Sequence, residues 1–204
     1  MIDALLSFAG RMLQFSLVAV FLENIIFSRA LGSSTVLYII RNKMNYFVFS
    51  FVLTIIMLFS SLSVYGLTSL LGRMRITIGY SYTPIVYITV IAVVYIATVL
   101  IVRRFFPKWA ESVLSMIHLS ALNCSVLGAI LISAGSDMDF AGHIGFGIGM
   151  GIGFLMAVLL LAVAHKHLNS EFIPKSFRGF PITLIYIGII SMAFYGLIGQ
   201  QLPR

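Results

Sequence analysis

Charge is scarce in this chain. Charged residues make up only 9% of its 204 residues, six of them acidic and thirteen basic, against about a quarter in an ordinary soluble domain. A surface so poor in charge excludes a water-solvated globule. Cysteine is rarer still: Cys124 stands alone, so an internal disulfide is excluded. There is no acidic pair, no serine with a plausible histidine and aspartate, and no cluster of four zinc-ligating groups. Hydrolytic and transfer chemistry thus has no support, and the chain alone is expected to catalyse nothing.

What is present is apolar, 60% of all residues. A bilayer core about 30 Å thick takes roughly 20 apolar residues per helical crossing, and runs of that length recur along the chain. The expected spans are Ala4–Phe27, Met44–Gly66, Pro84–Val102, Ser112–Ala134, Phe140–Ala164 and Pro181–Ile198. The fold class is therefore all-α, an integral membrane protein of six helices, in a single membrane domain over 1–204. The first run lacks a basic leader and a small-residue cleavage pattern, so it is expected to be a retained helix.

Positive charge follows the odd-numbered spans: Arg29, Arg41 and Lys43, then Arg103, Arg104 and Lys108, then Lys166, Lys175 and Arg178. The opposite side has Arg73, Arg75 and Arg204, with Asp137 and Asp139 after span four. The positive-inside rule makes the first set cytoplasmic and puts both termini outside. The formal charge of +7 is spread through membrane-flanking loops, which fits lipid headgroups and not nucleic acid.

Polar groups inside the apolar runs are the informative exceptions, because an ionised side chain at bilayer depth costs about 2.5–3.5 kcal/mol even on a lenient scale. Glu23, Asn24, Arg29, Ser33, Ser34 and Thr35 lie close together near the end of span one. Either the helix breaks there and its freed backbone lines a cofactor or ion site, or the span simply ends at the interface. Span four carries His118, Asn123 and Cys124; alone, such a His or Cys is an ordinary packing residue. Leu22-Glu23-Asn24 through Leu31-Gly32 echoes Leu122-Asn123 through Leu127-Gly128. Three spans per half would make such a repeat an inverted one, about 1–102 and 103–204, with its site at the interface.

The run Gly145, Gly147, Gly149, Gly151, Gly153 lies inside span five and lacks the strand and opening helix of a nucleotide loop. Gly145, Gly149 and Gly153 share one close-packing face, with Gly147 and Gly151 on another, so this helix is expected to meet a partner. His143, His165 and His167 are placed at or beyond span ends, where water or headgroups satisfy them. Arg11 and Lys43 are expected to snorkel.

Five motifs in order and spacing, Glu23-Asn24, Leu31-Gly32, Arg104-Phe105-Phe106-Pro107, Asn123-Cys124 with Leu127-Gly128, and Ile173-Pro174 followed by Phe177-Arg178-Gly179, resemble the A subunit of the Rnf complex and the E subunit of the sodium-translocating NADH:quinone reductase. The resemblance implies six helices in two inverted three-helix repeats, with spans one and four broken, beside a homologous six-helix partner of opposite orientation and the other Rnf/Nqr-type subunits. It implies a [2Fe-2S] cluster inside the membrane, two cysteines from each subunit, in an electron path coupled to Na+ or H+ translocation. It places Phe177-Arg178-Gly179 in a cytoplasmic turn that could dock a peripheral redox subunit.

The chain departs from that pattern at one ligand. The family's Leu-Gly-x-Cys reads Leu31-Gly32-Ser33-Ser34 here, so Cys124 is the one thiolate this subunit can offer, and each iron needs two protein ligands besides the bridging sulfides. Ser34 as an alkoxide ligand, an extra thiolate from the partner, or no conventional cluster all remain open. His118 stands where relatives have Pro, and Ala121-Leu122 replaces a hydroxyl-bearing pair. The expected site is Cys124, as a metal ligand, with Ser34, Asn123, Asn24 and Glu23. A stand-alone secondary transporter explains inverted repeats equally well, and a cluster-free scaffold subunit is a third reading.

Overall fold

The computed structural model describes residues 2–75, 79, 81–136, 138–168 and 173–198, without the side chains of 2, 108–110, 112, 166, 197 and 198. Asp137 and Arg204, and the side chains of Lys108 and Lys166, all of which bear on the charge pattern, lie outside the described residues. Among the described residues the chain is all-helical: α1 (Ile2–Leu17) running into a π-helical turn (Val18–Leu22), α2 (Ser33–Arg41), α3 (Tyr46–Arg73), α4 (Thr83–Phe105), α5 (Pro107–Ala121), α6 (Cys124–Ala134), α7 (Phe140–Leu168), a 3₁₀ turn (Lys175–Phe177) and α8 (Phe180–Ile198).

Four stretches are long and apolar enough to cross a bilayer: Asp3–Leu22, Tyr46–Arg73, Thr83–Phe105 and Phe140–His165. Val113–Ala121 and Cys124–Ala134, bent by 51° at their junction, make a fifth if taken as one crossing, and Phe180–Gly196 is a shorter apolar helix. Several boundaries move. Helix α3 continues past Gly66 to Arg73. The first helix ends at Leu22 and not at Phe27, because the Glu23 N–H donates five residues back to the Val18 carbonyl at 2.9 Å, a π-type widening that ends the regular ladder.

Helix α7 is the centre of the molecule, and its glycines explain why. Gly145, Gly149 and Gly153 abut Met12, Ser16 and Val20 in the same order, so α1 and α7 run parallel. Gly147 and Gly151 abut Leu58 and Thr54 in the reverse order, so α3 runs antiparallel. A Cβ on Gly145 or Gly149 would overlap the carbonyl oxygens of Met12 or Ser16; only glycine lets these backbones touch. The glycine-rich helix finds its close-packed neighbours inside this chain, on two faces. Phe49, Leu53, Ile56, Phe146 and Phe154 fill the core between α3 and α7.

The outer helices face away from that core with apolar side chains: Leu5, Leu6, Leu13 and Leu17 on α1, Val93, Ile96 and Leu100 on α4, Ile185, Ile189 and Met192 on α8. Exposed hydrocarbon on this scale fits a lipid or subunit environment, not water.

Candidate intramembrane site at the paired helix breaks

The first break is organised by Asn24, whose side chain is only 1% exposed. Its Oδ1 accepts from the Ile26 and Phe27 N–H groups at 3.2 and 3.3 Å, while its Nδ2 donates to the Val20 carbonyl at 3.0 Å and the Gly153 carbonyl at 3.1 Å. One amide thus serves backbone groups that the interrupted ladder would otherwise strand in an apolar interior. The contact with Gly153 also fixes depth. Gly153 is the fourteenth of the 26 residues in Phe140–His165, so the break lies level with the middle of α7 and not at its end. The polar cluster after Leu22 is a mid-helix interruption.

The chain then turns through residues 25–29, with Ala30 and Gly32 in the left-handed region at φ 56° and 80°. Gly32 caps α2, and a Cβ there would run into the Ser125 hydroxyl, besides needing a strained φ. The Ser33 hydroxyl donates back to the Ala30 carbonyl at 2.5 Å, and Ser34 is exposed in the first turn of α2.

The second break follows from Asn123. Its extended backbone stops α5, and its Oδ1 accepts from the Ser125 N–H at 3.0 Å to cap α6. Cys124 is the first residue of α6 and is exposed. The two breaks meet directly: the Gly32 N–H donates to Cys124 Sγ at 3.2 Å, and the Ser125 hydroxyl donates to the Leu31 carbonyl at 3.2 Å. A Cβ on Gly128 would strike the Leu31 and Ile25 side chains, so the two Leu-Gly motifs pack on each other. The N-termini of α2 and α6 therefore converge, and their unpaired N–H groups favour negative charge at the seam. The Asn123 Nδ2 is buried there without a hydrogen-bond partner among the described residues.

Of the expected site residues, the structure sets Asn123 and Cys124 against Gly32 across the seam, while Asn24 anchors the first break on Gly153 and Ser34 lies exposed in the first turn of α2. Glu23 instead pairs with Arg29 at 3.2 Å, both partly exposed. Ser125 is not singled out by the sequence; the signal for a helix start there is Asn123 as a capping residue. Among the described residues no three His, Cys, Asp or Glu side chains gather as a metal site.

Two polar contacts lie away from the seam. His143 is not satisfied by water: it is buried, with Nδ1 3.0 Å from the Ser61 hydroxyl and its ring 4.9 Å from that of Tyr65. Arg11 does not merely snorkel but pairs with Asp139 at 2.8 Å. Asp139 in turn caps α7 by accepting from the Gly142 N–H at 2.9 Å. That backbone bond, and then the bond from Arg11, hold its carboxyl below the usual carboxylate range.

Comparison with known proteins agrees with these motifs. A family described as Rnf-Nqr subunit, membrane protein, matches residues 12–200. The A subunit of the Na(+)-translocating ferredoxin:NAD(+) oxidoreductase complex of Acetobacterium woodii is 28% identical over 184 residues, 90% of this chain and 95% of that protein. The E subunit of the Na(+)-translocating NADH-quinone reductase is 28% identical in Photorhabdus laumondii and 29% in Neisseria gonorrhoeae, each over 188 residues with the same coverage.

Proposed function

We propose that this chain, which belongs to the Rnf-Nqr family of membrane subunits, serves in an ion-translocating electron-transfer complex of the Rnf/Nqr type, its paired helix breaks forming half of an intramembrane redox site. The observation that carries this is the seam itself: two interrupted helices meeting at the depth of Gly153, with the Cys124 thiol exposed at one helix N-terminus and the Gly32 N–H donating to it. Such a seam is costly in lipid unless it is covered. A homologous subunit of opposite orientation is the cover that this reading supplies. The parallel course of α1 and α7 with α3 reversed, and the contact between the two Leu-Gly motifs, support two inverted halves of three crossings each. The arginine and lysine pattern supports termini on the outer side of a cytoplasmic membrane.

The donor set fits a [2Fe-2S] cluster at one position of the two expected from a subunit. Cys124 has the exposure, the helix N-terminus and the N–H donor that suit an iron-bound thiolate. The other position carries the Ser34 hydroxyl, a far poorer iron ligand than a thiolate. This chain therefore does not supply the usual pair of sulfur ligands, and no electron step is assigned through such a cluster.

The test is to purify the complex through a tag on this chain and record iron content and electron paramagnetic resonance for the native protein, Cys124→Ser and Ser34→Cys. The proposal expects Cys124→Ser to lose iron or signal and Ser34→Cys to raise iron occupancy. Iron and signal indifferent to both substitutions would remove Cys124 from any redox site.

A further inference from the structure

We infer that the groove between α3, α4 and α5 is a binding site for an anionic phospholipid, with one acyl chain in the groove and the phosphate held by Arg104. The inference stands apart from the redox reading. The groove encloses about 670 Å³ and is walled by Val48, Phe51 and Ile55 of α3 and by Val93, Ala97 and Ile101 of α4. Ser63 and Thr98 are the polar side chains lining it, and the Thr98 hydroxyl already donates to the Val94 carbonyl at 2.8 Å. A polar cofactor would find almost nothing to bond, so the buried part of the occupant is hydrocarbon.

Among the described residues, charge lies beyond the end of the groove at the C-terminus of α4. Val93, Ala97 and Ile101 form one stripe of α4, and helical spacing carries that stripe three residues on to Arg104, while Arg103 falls on the opposite face. Arg104 has no acidic partner among the described residues, and Glu111, the acid next in sequence, does not pair with it. From Val93 to Phe106 the groove runs about 20 Å at 1.5 Å per residue, whereas half of a hydrocarbon core about 30 Å thick is roughly 15 Å. One leaflet's acyl chain is therefore accommodated from headgroup to tip. The Arg104 guanidinium at that end suits a phosphate oxyanion, and the groove is too apolar to need anything else.

Native mass spectrometry of the full chain in mild detergent, after incubation with equal amounts of phosphatidylglycerol and phosphatidylcholine of matched chains, tests this. One phosphatidylglycerol per chain should be retained, preferred about fivefold, the gain from one arginine. Arg104→Gln should bring the preference near unity while Arg103→Gln leaves it unchanged, and Ala97→Phe, which fills the groove, should reduce retention of both lipids. Val93→Phe repeats the groove test should the Ala97 variant not purify as a single species. Equal retention of the two lipids by the native chain, or phosphatidylglycerol retention indifferent to the groove-filling variants, would overturn the assignment. A photocrosslinker at residue 97 in native membranes should label lipid; labelling of another protein's helix would show a different occupant and refute it.

Discussion

Replacing Asn24 with alanine should be among the most damaging single changes in the molecule. The native amide accepts from two backbone N–H groups and donates to two carbonyls. The Gly153 carbonyl lies within α7 and keeps its helical partner, so its loss is small. The Ile26 and Phe27 N–H groups are different, since both residues are at most 1% exposed and an alanine offers them no acceptor. A buried donor left unpaired costs about 1–3 kcal/mol, so two of them with the cavity give roughly 3–5 kcal/mol. Asn42→Ala is the matched control, because the exposed Asn42 side chain donates one bond to the Tyr38 carbonyl; its loss should cost about 1 kcal/mol or less. The assay is reversible unfolding of the purified chain in mixed micelles with rising denaturing detergent, followed by far-ultraviolet circular dichroism. An Asn24→Ala variant within about 1 kcal/mol of Asn42→Ala would refute the claim that this amide holds the break together.

Gly149→Ala should destabilise by about 1–3 kcal/mol, because its methyl would meet the Ser16 carbonyl and lie 2.8 Å from the Ala19 Cβ. Gly188→Ala, with nothing within 4 Å, should be neutral or gain up to about 1 kcal/mol from helix propensity; the same unfolding assay separates them, and equal effects would contradict the packing. Asp139 has its carboxyl lowered from 3.8 in the folded chain. A lowered carboxyl stabilises above its unfolded value and loses that contribution as pH falls through the folded one. Stability should therefore drop below about pH 4, with Asp139→Asn removing that component of the pH profile.

The interruption after Leu22 is legible in the sequence because Glu23, Asn24 and Arg29 are expensive neighbours inside an apolar run. The second break is harder to read. Span four carries no charged side chain there, and among His118, Asn123 and Cys124 it is the capping propensity of Asn123 that marks the stop. His143 is misplaced by sequence for a related reason: closing span two at Gly66 leaves Ser61 and Tyr65 near a helix end, whereas α3 continues to Arg73 and covers the start of α7. The glycine faces are readable as periodicity, but nothing in a period names the neighbour. That α1 and α3 fill those faces depends on registry between distant segments.

The seam's construction does not depend on the side chain at position 34. The contacts that cross it belong to Gly32, Leu31, Cys124, Ser125 and Gly128, while depth and backbone satisfaction depend on Asn24. The Ser34 hydroxyl makes no hydrogen bond across the seam among the described residues, and its side chain is exposed. Exchanging the side chain at that exposed position leaves every one of those contacts intact. Side-chain chemistry and scaffold are thus physically separable here: position 34 can change its side chain while Gly32, two residues away, cannot gain even a methyl group.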